Sequence, residues 1–313
     1  MSHPRLPFLL RPYIYHELPG WGGLMRKLHV LGIDNTDARW REAPVKTIRG
    51  KGHGYLMKLD LRDDFDRMTY FLGRYYDLNV QSLLDVLLGA GDTYIDVGAN
   101  VGHHVLYAAA RVGETGSVIA FEPQPGCCER IREHLRDNQI EHVELHQMGL
   151  SDEPDELELK LLGGGTVMAS FAIDPEADTW VRNQIKVPVG RGDDVLPDDL
   201  SGGVVLKIDV EGYELCVLRG MTKTIEAHRP LIITEFNSRF FERAGVDPQD
   251  AIDFFHGRKY QAYDIGMARS KLTKPKLKLK SISTLEDMAE IKGVIDLLWI
   301  PEENTEFDPS PYF

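Results

Sequence analysis

Short apolar runs and helical spacings alternate through the middle of the chain. Runs at Thr93–Val97, Ser117–Phe121, His142–His146, Val204–Ile208 and Leu231–Phe236 have the length of buried strands. Between them, Val101–Ala110 and Cys128–Asn138 carry apolar residues three and four apart, as amphipathic helices do. Upstream, Leu78, Leu83, Leu84, Leu87 and Leu88 give Asp77–Leu88 the same helical spacing, and Gly89 ends it. Strands alternating with helices predict a parallel sheet covered on both faces. Leu157–Leu161 and Gln184–Val189 alternate instead and predict additional antiparallel strands. Tyr260–Ile265 and Val294–Ile300 predict a closing strand pair. Residues 1–60 are punctuated by Pro19-Gly20-Trp21-Gly22-Gly23 and Gly50-Lys51-Gly52-His53-Gly54, which break regular elements and leave one candidate helix around Gly23–Leu31. The predicted organisation is an extension over 1–75 packed on an α/β domain over 76–313, with no internal repeat.

Composition narrows the picture. The 313 residues are 42% hydrophobic, enough for a substantial core. A net charge of −13 disfavours nucleic acid and anionic membranes as partners. No apolar run is long enough for a membrane span, and prolines interrupt LPFLL near the N-terminus, so a cytoplasmic location is expected. Three cysteines, two of them the adjacent Cys127 and Cys128, provide neither a disulfide framework nor zinc-ligand spacing.

The first predicted strand ends at Asp96 and enters a helix through Gly98 and Gly102. Ligands of open α/β sheets bind outside the carboxyl ends of the strands. A dinucleotide site would place its second glycine where Asn100 stands. That side chain obstructs a pyrophosphate but can hydrogen-bond a small polar group. The next strand ends at Glu122, followed by Pro123, and a carboxylate there can accept both hydroxyls of a ribose. A ribose without a phosphate predicts S-adenosylmethionine as cofactor. The competing reading is that the glycines only permit tight strand–helix packing.

Tyr76–Gly102, Val118–Pro125 (VIAFEPQP), Leu135–Asn138 (LRDN), Leu206–Glu214 (LKIDVEGYE) and Pro230–Glu235 (PLIITE) together resemble the FkbM family of methyltransferases. The resemblance implies a Rossmann-like class I methyltransferase fold: a mostly parallel seven-stranded sheet with helices on both faces. It also implies O-methylation of a hydroxyl on a sugar, glycan or glycosylated metabolite. By that resemblance Asp96, Gly98, Asn100, Gly102, Glu122 and Pro123 are the cofactor-binding residues.

Strand alternation puts Lys207, Asp209 and Glu211 on one side if the run stays extended. An alcohol is a poor nucleophile, so a base within hydrogen-bond reach helps remove its proton. Asp209 or Glu211 is the candidate base, with Lys207 pairing with one of them or stabilising a developing alkoxide. A structural Lys207–Glu211 ion pair at the start of the next helix is the alternative. Glu235 faces the same crevice as a substrate ligand or a solvated carboxylate. The three acids could hold a divalent cation, but none is expected. His103 and His104 are expected to be packed or solvated, Asp193-Asp194 to cap a helix, and Gly163–Thr166 with Ser170 to form a hairpin turn or a closing loop. Lys271–Lys280 reads as a solvated amphipathic strand, or as a holder for an anionic acceptor. A homo-oligomer is compatible with the sequence. An N- or carboxyl-methyltransferase of the same fold, and a cofactor-binding module without chemistry, remain as rival functions.

Overall fold

The computed structural model describes residues 4–30, 39–162, 169–171, 181–236, 245–268, 275–282 and 295–313. The chain opens with helices α1 (Leu6–Tyr15) and α2 (Trp21–Lys27), the hairpin β1 (Val45–Arg49) and β2 (Leu56–Asp60), and α3 (Asp64–Leu72). The punctuation of residues 1–60 therefore does not prevent regular structure. Pro7 sits in the first turn of α1, where no backbone donor is needed, and Gly20 caps α2 in the left-handed region. Asp63 caps α3 by accepting from the amides of Phe65 and Asp66.

The α/β rhythm follows as expected: α4 (Leu78–Leu87), β3 (Thr93–Val97), α5 (His103–Val112), β4 (Ser117–Phe121), α6 (Pro125–Asn138) and β5 (Val143–His146). After it come β6 (Gly149–Leu150), β7 (Asp155–Leu162), β8 (Ala169–Ser170), β9 (Val181–Gly190), α7 (Gly192–Val195), β10 (Val204–Ile208), α8 (Glu214–Gly220), α9 (Thr222–His228) and β11 (Leu231–Phe236). The chain closes with α10 (Pro248–His256), β12 (Tyr260–Ala268), β13 (Lys276–Ile282) and β14 (Ile295–Pro301).

The main sheet has the order β13-β12-β14-β11-β10-β3-β4-β5. Strands β11, β10, β3, β4 and β5 are mutually parallel, and β14 runs antiparallel between β11 and β12. Among the described residues the sheet has eight strands, not the predicted seven. The eighth is β13, the described part of the lysine-rich stretch, paired antiparallel to β12. Its Lys276, Lys278 and Lys280 are exposed while Leu279 is buried. Lysines on such a strand discourage a second chain from pairing with the sheet edge. Strands β7 and β9 form the expected antiparallel pair in a separate small sheet with β6 and β8. The Gly163–Thr166 turn lies outside the described residues.

Alternation divides the core. Tyr94, Val118 and Val205 pack on one face with α4 and α5, while Ile95, Ile119 and Leu206 pack on the other with α8, α9 and α10. The N-terminal hairpin docks on α6, where the Asn138 side chain exchanges hydrogen bonds with the Leu56 backbone at 2.6 and 2.8 Å. Arg130 Nη2 reaches both carboxylate oxygens of the fully buried Asp66, at 2.9 and 2.8 Å. Among the described residues, no helix is long and apolar enough to cross a membrane. The strand order switches sides at β3: β4 and β5 lie to one side, β10 and β11 to the other. The crevice outside the carboxyl ends of β3 and β10 is thus the place for a ligand.

Candidate active site

The turn after β3 is shaped by its neighbour strand. Gly98 has φ +86°, and a Cβ there would lie 2.0 Å from the Asp209 carbonyl oxygen. Asp209 N in turn donates to Val97 O at 3.0 Å, so the ends of β3 and β10 are locked together. Gly102 caps α5 at φ +85°, and its Cβ would lie 2.9 Å from Ile131 on α6. Both glycines thus allow a close approach of protein atoms, whatever else the turn holds. Asn100 adopts φ +53°, a left-handed geometry that asparagine tolerates better than most residues.

The carboxylates carry the stronger ligand signal. Glu122 is buried and accepts from the amides of Asn100 at 2.8 Å and Gln124 at 2.7 Å. Burial pushes its carboxyl up to about 7, the two amides opposing and Asp96 adding to the rise. Asp96 is 1% exposed, and among the described residues its polar neighbours include the Tyr94 hydroxyl and the Lys207 ammonium. Burial raises its pKa although the Lys207 ammonium lies 3.8 Å away.

Register places Lys207 beside Asp96 across the β3–β10 ladder, on the same face of the sheet. Lys207 Nζ donates to Asp209 Oδ2 at 2.9 Å, so its partners are Asp209 and Asp96. The expected extended run does not continue past the strand: Glu211 has φ +56°, and backbone reversal sets its position. Glu214, not Glu211, holds the following turn, accepting from the amides of Val210 at 3.2 Å and Gly212 at 3.1 Å.

Oxygens of Asp209, Glu211 and Glu235 lie within 4.8 Å of one another, a spacing that could hold a divalent cation. Burial first, and the Asp209 charge next, push Glu211 up to about 8 and Glu235 up to about 10. Asp296, opposite Glu235 in the β11–β14 ladder, is likewise raised to about 8 by burial and by Asp77 and Asp209. The signal for Asp296 was a single acid inside the apolar run IDLLWIP.

One cavity of about 350 Å³ joins these groups. Gly98, Asn100, Glu122 and Pro123 line it from the turn side, and Lys207, Asp209, Glu211 and Glu235 from the strand ends. Asp96 lies behind Lys207 and Gly102 behind the turn, neither on the cavity wall. His103 and His104 are packed as expected, yet both reach the wall, and the His104 ring lies 3.3 Å from Asp77 Oδ2. Aromatic residues absent from the sequence-derived site, Phe65, Tyr75, Tyr76, Phe171 and Tyr213, complete the lining. The paired tyrosines just before the Asp77 helix cap were the visible hint. Lys276, Lys278 and Lys280 do not line the cavity. Asp193 does act as a cap, but for α9 some thirty residues on: its carboxylate accepts from the amides of Lys223 at 3.0 Å and Thr224 at 2.9 Å.

A sheet ordered β5-β4-β3-β10-β11-β14-β12 with β14 reversed, a glycine turn after β3 and an acid after β4 define a class I methyltransferase fold. The model described as "Methyltransferase FkbM domain" matches residues 96–262, more than half of the chain, and the chain belongs to that family of methyltransferases. It is 27% identical over 187 residues to Methyltransferase 1 of Beauveria bassiana, covering 52% of this chain and 75% of that protein. It is 30% identical over 166 residues to the hexuronic acid methyltransferase AglP of Haloferax volcanii, covering 51% of this chain and 59% of that one. The chain therefore spans less than two thirds of the archaeal relative. The crystal structure of the methyltransferase FkbM from Methylobacillus flagellatus aligns with TM-score 0.41 and 16% identity, over 76% of this chain and 55% of that one.

Proposed function

We propose that the protein uses S-adenosylmethionine to methylate a hydroxyl of a sugar, glycan or glycosylated metabolite. The observation that carries this reading is the single cavity in which the Asn100–Glu122 turn and the Asp209–Glu211–Glu235 cluster meet. The residues present fit the cofactor: Glu122, on the cavity wall beside Asn100, offers a buried carboxylate to the ribose hydroxyls. When bound, the cofactor supplies a methyl group on a sulfonium. The chain's own residues orient the acceptor and take its proton. Lys207 fixes Asp209, and Glu211, with a carboxyl near 8, is matched to accept a proton in mildly alkaline solution. Glu235 holds its proton there and can donate a hydrogen bond to a second hydroxyl. In this reading residues 76–313 form the catalytic domain and 1–75 an extension of it. The hexuronic acid specificity of the archaeal relative supports a carbohydrate acceptor.

The test is transfer of label from S-adenosylmethionine to fractionated glycans and glycosides, with mass spectrometry of the product. Glu211→Gln is expected to lose about 10²-fold or more in kcat while keeping S-adenosylhomocysteine affinity. Running both proteins with a chelator and with added magnesium separates proton transfer from assistance by a cation at the acid cluster. Label found only in protein or nucleic acid refutes the proposal.

A further inference from the structure

The cavity has two unlike walls. One carries carboxyl groups, the other rings, of which Phe65, Tyr75 and Tyr76 come from outside the segment matched by the family model. Phe65 comes from α3, and its ring centroid lies 5.2 Å from that of Tyr76, with 34° between the planes. Tyr76 adjoins Tyr75 at 4.5 Å, and Tyr75 stacks on His103 at 4.5 Å and 28°. The rings thus run from His103, 4% exposed at the floor, to Tyr76, 43% exposed. A large aromatic left in water at the edge of a cavity is a surface waiting for a ligand.

Pyranose rings have the complementary build: a face of axial C–H groups and a rim of hydroxyls. The C–H face packs on an aromatic ring, and the hydroxyls pair with carboxyl groups such as Asp209, Glu211 and Glu235. Charge narrows the class further. Among the described residues, Lys207 is the only lysine or arginine on the cavity wall, and it is already bonded to Asp209 with Asp96 beside it. Among the described residues, an acceptor carboxylate would meet the Asp209 carboxylate and no lysine or arginine that lacks an acidic partner.

We propose that Phe65 and Tyr76 form an acceptor subsite that takes the C–H face of an uncharged pyranose. This rests on the carbohydrate reading above and adds where the sugar sits and which charge it carries. Both residues lie upstream of residues 96–262, the part matched by the family model.

Saturation-transfer NMR with the full chain and S-adenosylhomocysteine tests it, using the methyl glycosides of glucose, galactose, mannose and glucuronic acid as probes. Wild type is expected to saturate the ring C–H protons of a neutral glycoside and not those of the glucuronide. Phe65→Ala and Tyr76→Ala are expected to weaken that binding about tenfold, the worth of one good ring contact, while S-adenosylhomocysteine affinity stays unchanged. Tyr76→Phe is expected to restore it, which a merely structural role for the hydroxyl would not. Tyr76 is exposed enough for Tyr76→Gln to fold if Phe65→Ala does not. Glycosides that bind wild type and the ring-deleted variants equally overturn the subsite alone. Preference for the glucuronide overturns its charge assignment. Wild type that binds no glycoside overturns the carbohydrate reading beneath it.

Discussion

Gly98→Ala probes whether the cofactor turn and the acid-bearing strand end are one mechanical unit. The added Cβ would sit 2.0 Å from the Asp209 carbonyl oxygen and 3.3 Å from Val210 Cγ1. The first distance is about 1.5 Å short of an ordinary contact. Backbone, not a flexible side chain, has to yield, and that backbone is tied to Val97 by a 3.0 Å hydrogen bond. Gly20 supplies the control: it has the same φ of +86° but open space around its Cβ. Both alanines incur about 1–2 kcal/mol of left-handed strain, offset by about 0.4–1 kcal/mol from a less flexible unfolded chain. Only Gly98→Ala adds an overpacking cost of about 1–3 kcal/mol. Differential scanning calorimetry should place its Tm roughly 1–5 °C below that of Gly20→Ala. Calorimetric titration should show S-adenosylhomocysteine binding weakened at least about tenfold for Gly98→Ala and unchanged for Gly20→Ala. Equal melting of the two variants, with wild-type affinity for Gly98→Ala, would refute the coupling.

Burial pushes the Glu122 carboxyl up to about 7, so if Glu122 holds the ribose as proposed, S-adenosylhomocysteine affinity should fall as pH drops through that value and the carboxylate gains a proton. Glu122→Gln should bind more weakly and lose this pH slope; titrations at about pH 6 and about pH 8 with the same slope in both proteins would contradict the assignment. Stability should also respond to pH: Glu122, Glu211, Glu214 and Asp296, raised to between about 7 and about 8, contribute stability at acid pH that is lost as pH rises through those values. Half-buried His53 and buried His134, lowered to about 4, oppose this on the acid side, so Tm should decline from about pH 6 to about pH 9, and a flat or rising Tm would count against the desolvation of these acids.

Local pattern was enough for the central elements. Strands β3, β4, β10 and β11 have the bounds that their apolar runs gave, because a strand buried on both faces leaves an unbroken hydrophobic signature. Helix α6 starts three residues earlier than its periodicity, since Pro125 can occupy a first turn that needs no backbone donor. The alternation of Lys276–Lys280 was legible too, but not its pairing with β12, which turned seven strands into eight. Asp96, Glu122, Lys207 and Asp209 could be singled out because each sits at or beside the end of a strand.

What the sequence alone determined is the part governed by backbone periodicity: the strand–helix order, the crevice it creates, and the acidic residues delivered to that crevice. The tertiary structure decided whatever depends on distant segments meeting. It set Glu211 through a left-handed residue rather than alternation, and placed Asp296 opposite Glu235. It also brought Phe65 and Tyr76 from the N-terminal part of the chain to the cavity. The same long-range burial removes water from the carboxyl groups and raises their pKa values, a property that desolvation confers and no local pattern encodes.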